Sequence, residues 1–234
     1  MGEFSRLSGV FFEPTKTFAD IAERPTWFVP LLLVVLAALA FTFAIGQRLG
    51  WERVIDQQMQ SRIAQMSDQQ RAAMEQARPL QVKLAAVGGY VFAVIGAPLY
   101  YLIAAGVLLL IVNGLMSASI KFKQAFAVMC YAGIPGILFV ALGIVSMYMK
   151  SNPDDFNMQN PLPFNLAWLM SPDTPAKFLH SIAGSIDLFS LWAILLIATG
   201  LKSAGGKKLT FGGGLVAVLI PWAAIVLLKA VFAR

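Results

Sequence analysis

Asp187 is the residue with the strongest chemical potential in this 234-residue chain, because its surroundings are apolar. It falls inside a hydrophobic run read as 180–201. A lone carboxylate at mid-membrane costs about 2.5–3.5 kcal/mol on insertion scales, so it should face other helices or be neutral. On a continuous helix, His180, Gly184, Asp187 and Leu191 share one face, with Ser181 and Ser185 beside it. Tyr90, Tyr148 and Lys229 belong at a similar depth, so an Asp187–Lys229 ion pair or a tyrosine-to-carboxylate hydrogen bond is expected. Two chemistries fit such a cluster. One is an ion or proton site built from Asp187, His180, Ser185, Tyr90 and Lys229. The other is a polar strut that binds helices together.

The remaining candidates read as structural. Tyr131 stands four residues ahead of Pro135, where its hydroxyl is expected to bond carbonyls freed by a prolyl kink. Trp192 and Trp222 lie well inside apolar runs and read as packing anchors whose indole N–H groups need acceptors. Gly212-Gly213-Gly214 follows no strand and lacks the lysine of a phosphate loop. His180 is the only histidine and Cys130 the only cysteine, which excludes an intramolecular disulfide, a thiol metal site and any site needing two imidazoles. No nucleophile–base pair and no nucleotide fingerprint is present, so neither an enzyme nor a cofactor is expected.

Hydrophobic residues make up 58% of the chain, charged residues 13%, and mean hydropathy is +0.71. A soluble domain runs at about half apolar and a quarter charged, so this chain has too little polar surface to coat a water-facing globule. The expected class is all-α: a polytopic bundle of about five spans forming one integral membrane domain over 1–234. The net charge of +6 is scattered at span ends without interleaved aromatics, which points to lipid headgroups rather than nucleic acid. The first 25 residues carry Glu3, Glu13, Asp20 and Glu23 and no apolar core with a cleavage site, so a signal peptide is not expected.

Five spans are expected at about 29–46, 84–112, 125–149, 180–201 and 211–232. Before them, Phe4, Leu7 and Phe11 fall at helical spacing. Pro14 then opens a second short helix whose Phe18, Ile21 and Ala22 oppose Lys16, Asp20 and Glu23. Too short to span, this amphipathic segment is expected to lie in the membrane interface. The polar stretch 47–83 reads as helical. Trp51, Ile55, Met59, Ile63 and Met66 step along one face, and Ser67 with Gln70 forms a capping box for a second helix to Ala77. The second span is longer than a bilayer needs and must tilt, kink at Pro98 or project. The third carries Gly133-Ile134-Pro135-Gly136, a kink. The loop 150–177, with five prolines, cannot be a long helix.

Lys121 and Lys123, and then Lys202, Lys207 and Lys208, mark two acid-free loops that belong in the cytoplasm, placing the N-terminus inside and the C-terminus outside. The whole count opposes this weakly, with eight basic residues inside and ten outside.

Three stretches in order resemble a known family. They are Phe12-Glu13-Pro14-Thr15-Lys16-Thr17-Phe18 with Arg24-Pro25-Thr26-Trp27; Phe122-Lys123-Gln124-Ala125-Phe126 leading into Tyr131-Ala132-Gly133-Ile134-Pro135; and Asp187-Leu188-Phe189-Ser190-Leu191-Trp192 ending in Gly200-Leu201. Together they resemble the bacterial branch of the Yip family of five-span membrane proteins, whose eukaryotic members are named for interacting with Ypt/Rab GTPases. The resemblance covers nearly the whole chain. It implies a bacterial cytoplasmic membrane location with a cytoplasmic N-terminus. The eukaryotic Asp-Leu-Tyr-Gly-Pro motif is absent, so Rab binding is not implied.

The expected function is a non-enzymatic membrane module organising partner proteins or lipids through its N-terminal segment and helical first loop. The alternative is a small transporter or channel using the polar face around Asp187, with a homo-oligomer enclosing a shared pathway and kinks at Pro98, Pro135 and Pro221 allowing movement.

Overall fold

The computed structural model describes residues 1–63, 66–158, 160–170 and 177–232, without the side chains of 58 and 60–63. Ten α-helices form within them: α1 (Glu3–Phe12), α2 (Pro14–Glu23), α3 (Phe28–Arg48), α4 (Trp51–Ile63), α5 (Asp68–Gly114), α6 (Phe122–Ala132), α7 (Pro135–Met149), α8 (Lys177–Ser185), α9 (Leu188–Gly205) and α10 (Phe211–Phe232). Five segments are long and apolar enough to cross a membrane: α3, α5, the bent pair α6–α7, α9 with the turn after it, and α10. The chain is a multi-pass helical bundle. Its main core joins α2, α5, α6, α9 and α10 around Phe18, Leu108, Val128, Tyr131 and Leu201.

The N-terminal segment makes a contact that its amphipathic pattern alone does not specify. α1 and α2 do form amphipathic helices, with Pro14 in the first turn of α2. Their apolar faces, however, dock on the bundle, with Val10, Phe18 and Ile21 wholly buried. Two glycines make the fit. A Cβ at Gly9 would collide with the Thr17 side chain, so α1 and α2 cross closely there; one at Gly200 would meet both Val128 and Phe18. Removing the side chain of α9 at that level makes room for a phenylalanine ring. Phe4 and Phe12, on the outward flank of α1, stay exposed.

The first loop is helical, and its capping box is present: the Ser67 hydroxyl accepts from the Gln70 amide at 3.3 Å, and the Gln70 side chain accepts from the Ser67 amide at 2.9 Å. The helix does not end at Ala77. It continues through Pro79 and Pro98 for 47 residues, about 70 Å at 1.5 Å per residue. A hydrocarbon core is about 30 Å thick, so the excess length projects. Residues 68–83 alone add about 24 Å of arm beyond the apolar run.

α4 braces that arm. Gly50 makes the turn from α3 with φ +81°, a left-handed conformation open to glycine. The Nη2 of Arg78 donates to both Asp56 oxygens at 2.9 Å. Trp51 packs against Tyr90, ring centroids 6.2 Å apart. A second small core of Ala44, Ile45, Leu49, Val54, Met147 and Phe156 fixes the root of α4 to the loop after α7. Arg53–Asp154 at 2.7 Å and Gln57 Nε2 donating to the Phe156 carbonyl at 3.0 Å tie the same elements. Ile55 and Met59 of the expected apolar face are half-buried; the Ile63 side chain lies outside the described set.

The expected fourth span, 180–201, is two helices. α8 ends at Ser185, and α9 begins at Leu188. Between them the chain pairs in antiparallel fashion with Asn165, the Leu166 amide donating to the Ile186 carbonyl at 3.2 Å and the Leu188 amide to the Phe164 carbonyl at 3.1 Å.

Candidate functional site

Asp187 is the N-cap of α9 rather than a residue two turns inside a helix. Its backbone is extended, and Oδ1 accepts from the Phe189 amide at 2.9 Å and the Ser190 amide at 3.0 Å. The Ser190 hydroxyl donates to Oδ2. These bonds satisfy donors that a helix start leaves without intrahelical partners. The carboxylate is also favourable at the positive end of the helix dipole.

The break at 185–187 dismantles the polar face expected from the sequence. His180 is exposed on α8, and the Ser185 hydroxyl donates back to the Ser181 carbonyl at 2.9 Å. Lys229 is exposed on α10 and makes no ion pair with Asp187. Tyr90 faces Trp51, and Tyr148 lies beneath Arg48, whose guanidinium carbon is 5.9 Å from the ring centroid. What Asp187 does line is a cleft of about 300 Å³ with Asn160, Asn165, Gly184, Phe139 and Ser190. Within it Asn165 Nδ2 donates to Asn160 Oδ1 at 2.6 Å.

The most connected polar cluster lies at the other end of the bundle and centres on Arg6, which sequence reasoning missed. Arg6 is 3% exposed. Its Nε donates to Asp20 Oδ2 at 2.7 Å, Nη2 to the Asp20 carbonyl at 3.3 Å and Nη1 to Thr26 Oγ1 at 2.7 Å. Thr26 donates in turn to Glu3 Oε1 at 2.8 Å, and Tyr131 Oη donates to Glu3 Oε2 at 2.5 Å. Each hydroxyl has one proton, so the 3.1 Å approach of Thr26 Oγ1 to Tyr131 Oη is a contact between two groups sharing one carboxylate. α1, α2, the entry to α3 and α6 are thus joined by one charge-assisted network.

Hydrogen bonding from the Met1 amino group, followed by the Arg6 guanidinium, holds Asp20 below the usual carboxylate range against the opposing effect of burial. Burial opposes charge on Arg6, but Asp20 and Tyr131 together more than offset it and raise the guanidinium.

Tyr131 therefore does not bond carbonyls at the kink. Helical side chains lean toward the N-terminus, so its hydroxyl points away from Gly133 and Pro135 and toward Glu3. Pro135 starts α7 after a break in the span. Trp192 meets Phe11 edge-on at 5.5 Å, a packing anchor for the N-terminal hairpin. Asn113 closes the turn to α6, its amide donating to the Ile120 carbonyl at 2.9 Å and its oxygen accepting from the Ile120 amide at 2.8 Å. Among the described residues, no three of His, Cys, Asp or Glu gather closely enough to hold a metal ion.

The chain matches the Yip1 domain over residues 8–232. It belongs to the Yip1 domain family. The match begins within α1 and ends with α10, so the docked N-terminal hairpin is part of the Yip1 unit rather than an appendage to it. A relative is membrane protein YknW of Bacillus subtilis (strain 168), 27% identical over 201 residues that cover 86% of this chain and 78% of that protein. No solved structure matches.

Proposed function

We propose that this Yip1-family protein is a non-enzymatic membrane module that organises partner proteins through its projecting helical arm. The observation carrying this reading is the continuity of α5. One helix passes from the apolar bundle into a polar arm that α4 braces through Arg78–Asp56 and Trp51. A solvent-facing helix needs no such bracing to act as a spacer, whereas a docking surface gains by being held rigid before binding. The N-terminal hairpin, the other expected partner surface, uses its apolar face inside the bundle. The transporter alternative is less well supported, since its acid, Asp187, already accepts three hydrogen bonds at the start of α9.

In this proposal the protein sits in a bacterial cytoplasmic membrane with its N-terminus and the lysine loops in the cytoplasm. The arm and the C-terminus are then on the outer side. Arg71 lies on the exposed arm, so Arg71→Cys in a Cys130→Ala background can carry an impermeant maleimide photocrosslinker added to intact cells. Labelling followed by a discrete adduct of constant mass is expected. Absence of labelling overturns the orientation; labelling without a discrete adduct overturns the docking role.

A further inference from the structure

Where α7 leaves the bundle, the loop after it folds back against the helix. The Ser146 hydroxyl donates to the Pro161 carbonyl at 3.2 Å, and the pairing of Asn165 with Asp187 fixes the far side of the same loop. Between the loop and α7 is a trough of about 450 Å³. Leu142, Val145 and Met149 line it along one face of α7, with Phe164 opposite and Lys150 at its mouth. The volume falls within the roughly 300–1,000 Å³ of small-molecule sites.

The trough is graded along its length. Its inner end lies on the apolar span and its outer end at a lysine just beyond the last helical residue, Met149. Lys150 is exposed and, among the described residues, forms no ion pair. Arg48 adds a second cation at the same level, its Nη2 donating to the Lys150 carbonyl at 2.6 Å, and it too has no acidic partner among the described residues. An apolar slot that ends in unpaired positive charge at a span terminus matches one kind of occupant: an amphiphile with an acyl chain and an anionic head.

We propose that the trough between α7 and residues 161–164 is a binding site for an anionic glycerophospholipid. One acyl chain lies along Leu142, Val145 and Met149, and the phosphate lies at Lys150. The loop bonds preform the slot, which separates it from the ordinary lipid-facing surface of the bundle. The site is independent of the docking arm and stands or falls separately from it.

The test uses the full chain in mild detergent and native mass spectrometry, with phosphatidylglycerol and phosphatidylcholine of identical chains added in turn. Wild type retains phosphatidylglycerol in preference to phosphatidylcholine. Lys150→Glu lowers that retention roughly tenfold, as expected for loss of one charge-assisted contact. Val145→Trp, which fills the slot, lowers retention of both lipids. Lys229→Glu, on the exposed face of α10, leaves both unchanged. If Lys150→Glu does not remain monodisperse on gel filtration, Lys150→Gln is read in its place. Equal retention of the two lipids by wild type overturns the proposal. So does unaltered phosphatidylglycerol retention in the Lys150 variant or in Val145→Trp.

Discussion

Replacing Arg6 with alanine should release the N-terminal hairpin while leaving the five spans in place. Arg6 is 3% exposed and Asp20 21%, so the pair is shielded but not dry. Removing one partner of a fully buried ion pair costs about 3–5 kcal/mol. The remaining exposure of Asp20 argues for less, about 2–4 kcal/mol with the lost Thr26 bond included. At 1.4 kcal/mol per decade, the opening equilibrium of the hairpin rises about 30- to 700-fold. Val10, wholly buried on α1, reports this opening when replaced by cysteine, a smaller apolar side chain that is readily buried. In a Cys130→Ala background, maleimide labelling of the thiol introduced by Val10→Cys in detergent should accelerate by that factor when Arg6→Ala is added. A change of less than about threefold would mean that burial of Phe18 and Ile21 holds the hairpin without help from the network.

Acidification should loosen the same hairpin. Asp20 is depressed in the folded state, so its contribution is fully present above the ordinary carboxylate value of about 3.9 and is lost as pH falls through the lower folded value. A nitroxide on Phe4→Cys, at an exposed position of α1, should become more mobile below about pH 4, and Asp20→Asn should already be mobile at neutral pH. An unchanged spectrum down to about pH 2 would remove Asp20 from the docking energetics. At the far end, Asp187→Ala should lower the thermal midpoint in detergent through a cap loss of about 0.5–2 kcal/mol, while Asp187→Ser and Asp187→Asn should stay close to wild type. An asparagine as damaging as alanine would show that the charge, not the cap, matters.

Span number and order were legible because an apolar run of bilayer length has few other stable outcomes. The Ser67–Gln70 capping box was legible because both partners are three residues apart on one turn. The break ahead of α9 was not, since hydropathy runs on from α8 and hides it. The available signal was local: an aspartate immediately before Leu188 is a helix start. The extent of α5 was missed because Pro79 suggests an end; a helix held by α4 on one side tolerates the lost bond. No spacing rule could have paired Arg6 with Asp20, or Tyr131 with Glu3, 128 residues away. Those contacts exist because Gly9 and Gly200 let α1 and α2 approach closely, and an absent side chain leaves no trace in a hydropathy profile.

The distribution of polar groups explains why a chain so poor in charge keeps the charges it has. Asp187 starts α9, Asn113 closes the turn into α6, and Arg78 with Asp56 fixes the arm. The Arg6 network locks α1 and α2 onto α6. Each holds a helix end or a joint between helices. Apolar packing alone discriminates weakly among helix arrangements in lipid, because hydrocarbon tails solvate leucine as well as a neighbouring helix does. A hydrogen-bonded joint does discriminate, since displacement leaves its donors and acceptors unpartnered where water is scarce. In this fold the charged residues that are hydrogen-bonded to other helices act as fasteners. Other cations meet no acid among the described residues, Lys121, Lys202, Lys207, Lys229, Arg48 and Lys150 among them; of these, Lys150 lines a trough beside α7. What sets the proposed lipid site beside Lys150 apart from those other cations is the apolar wall of Leu142, Val145, Met149 and Phe164 next to the charge.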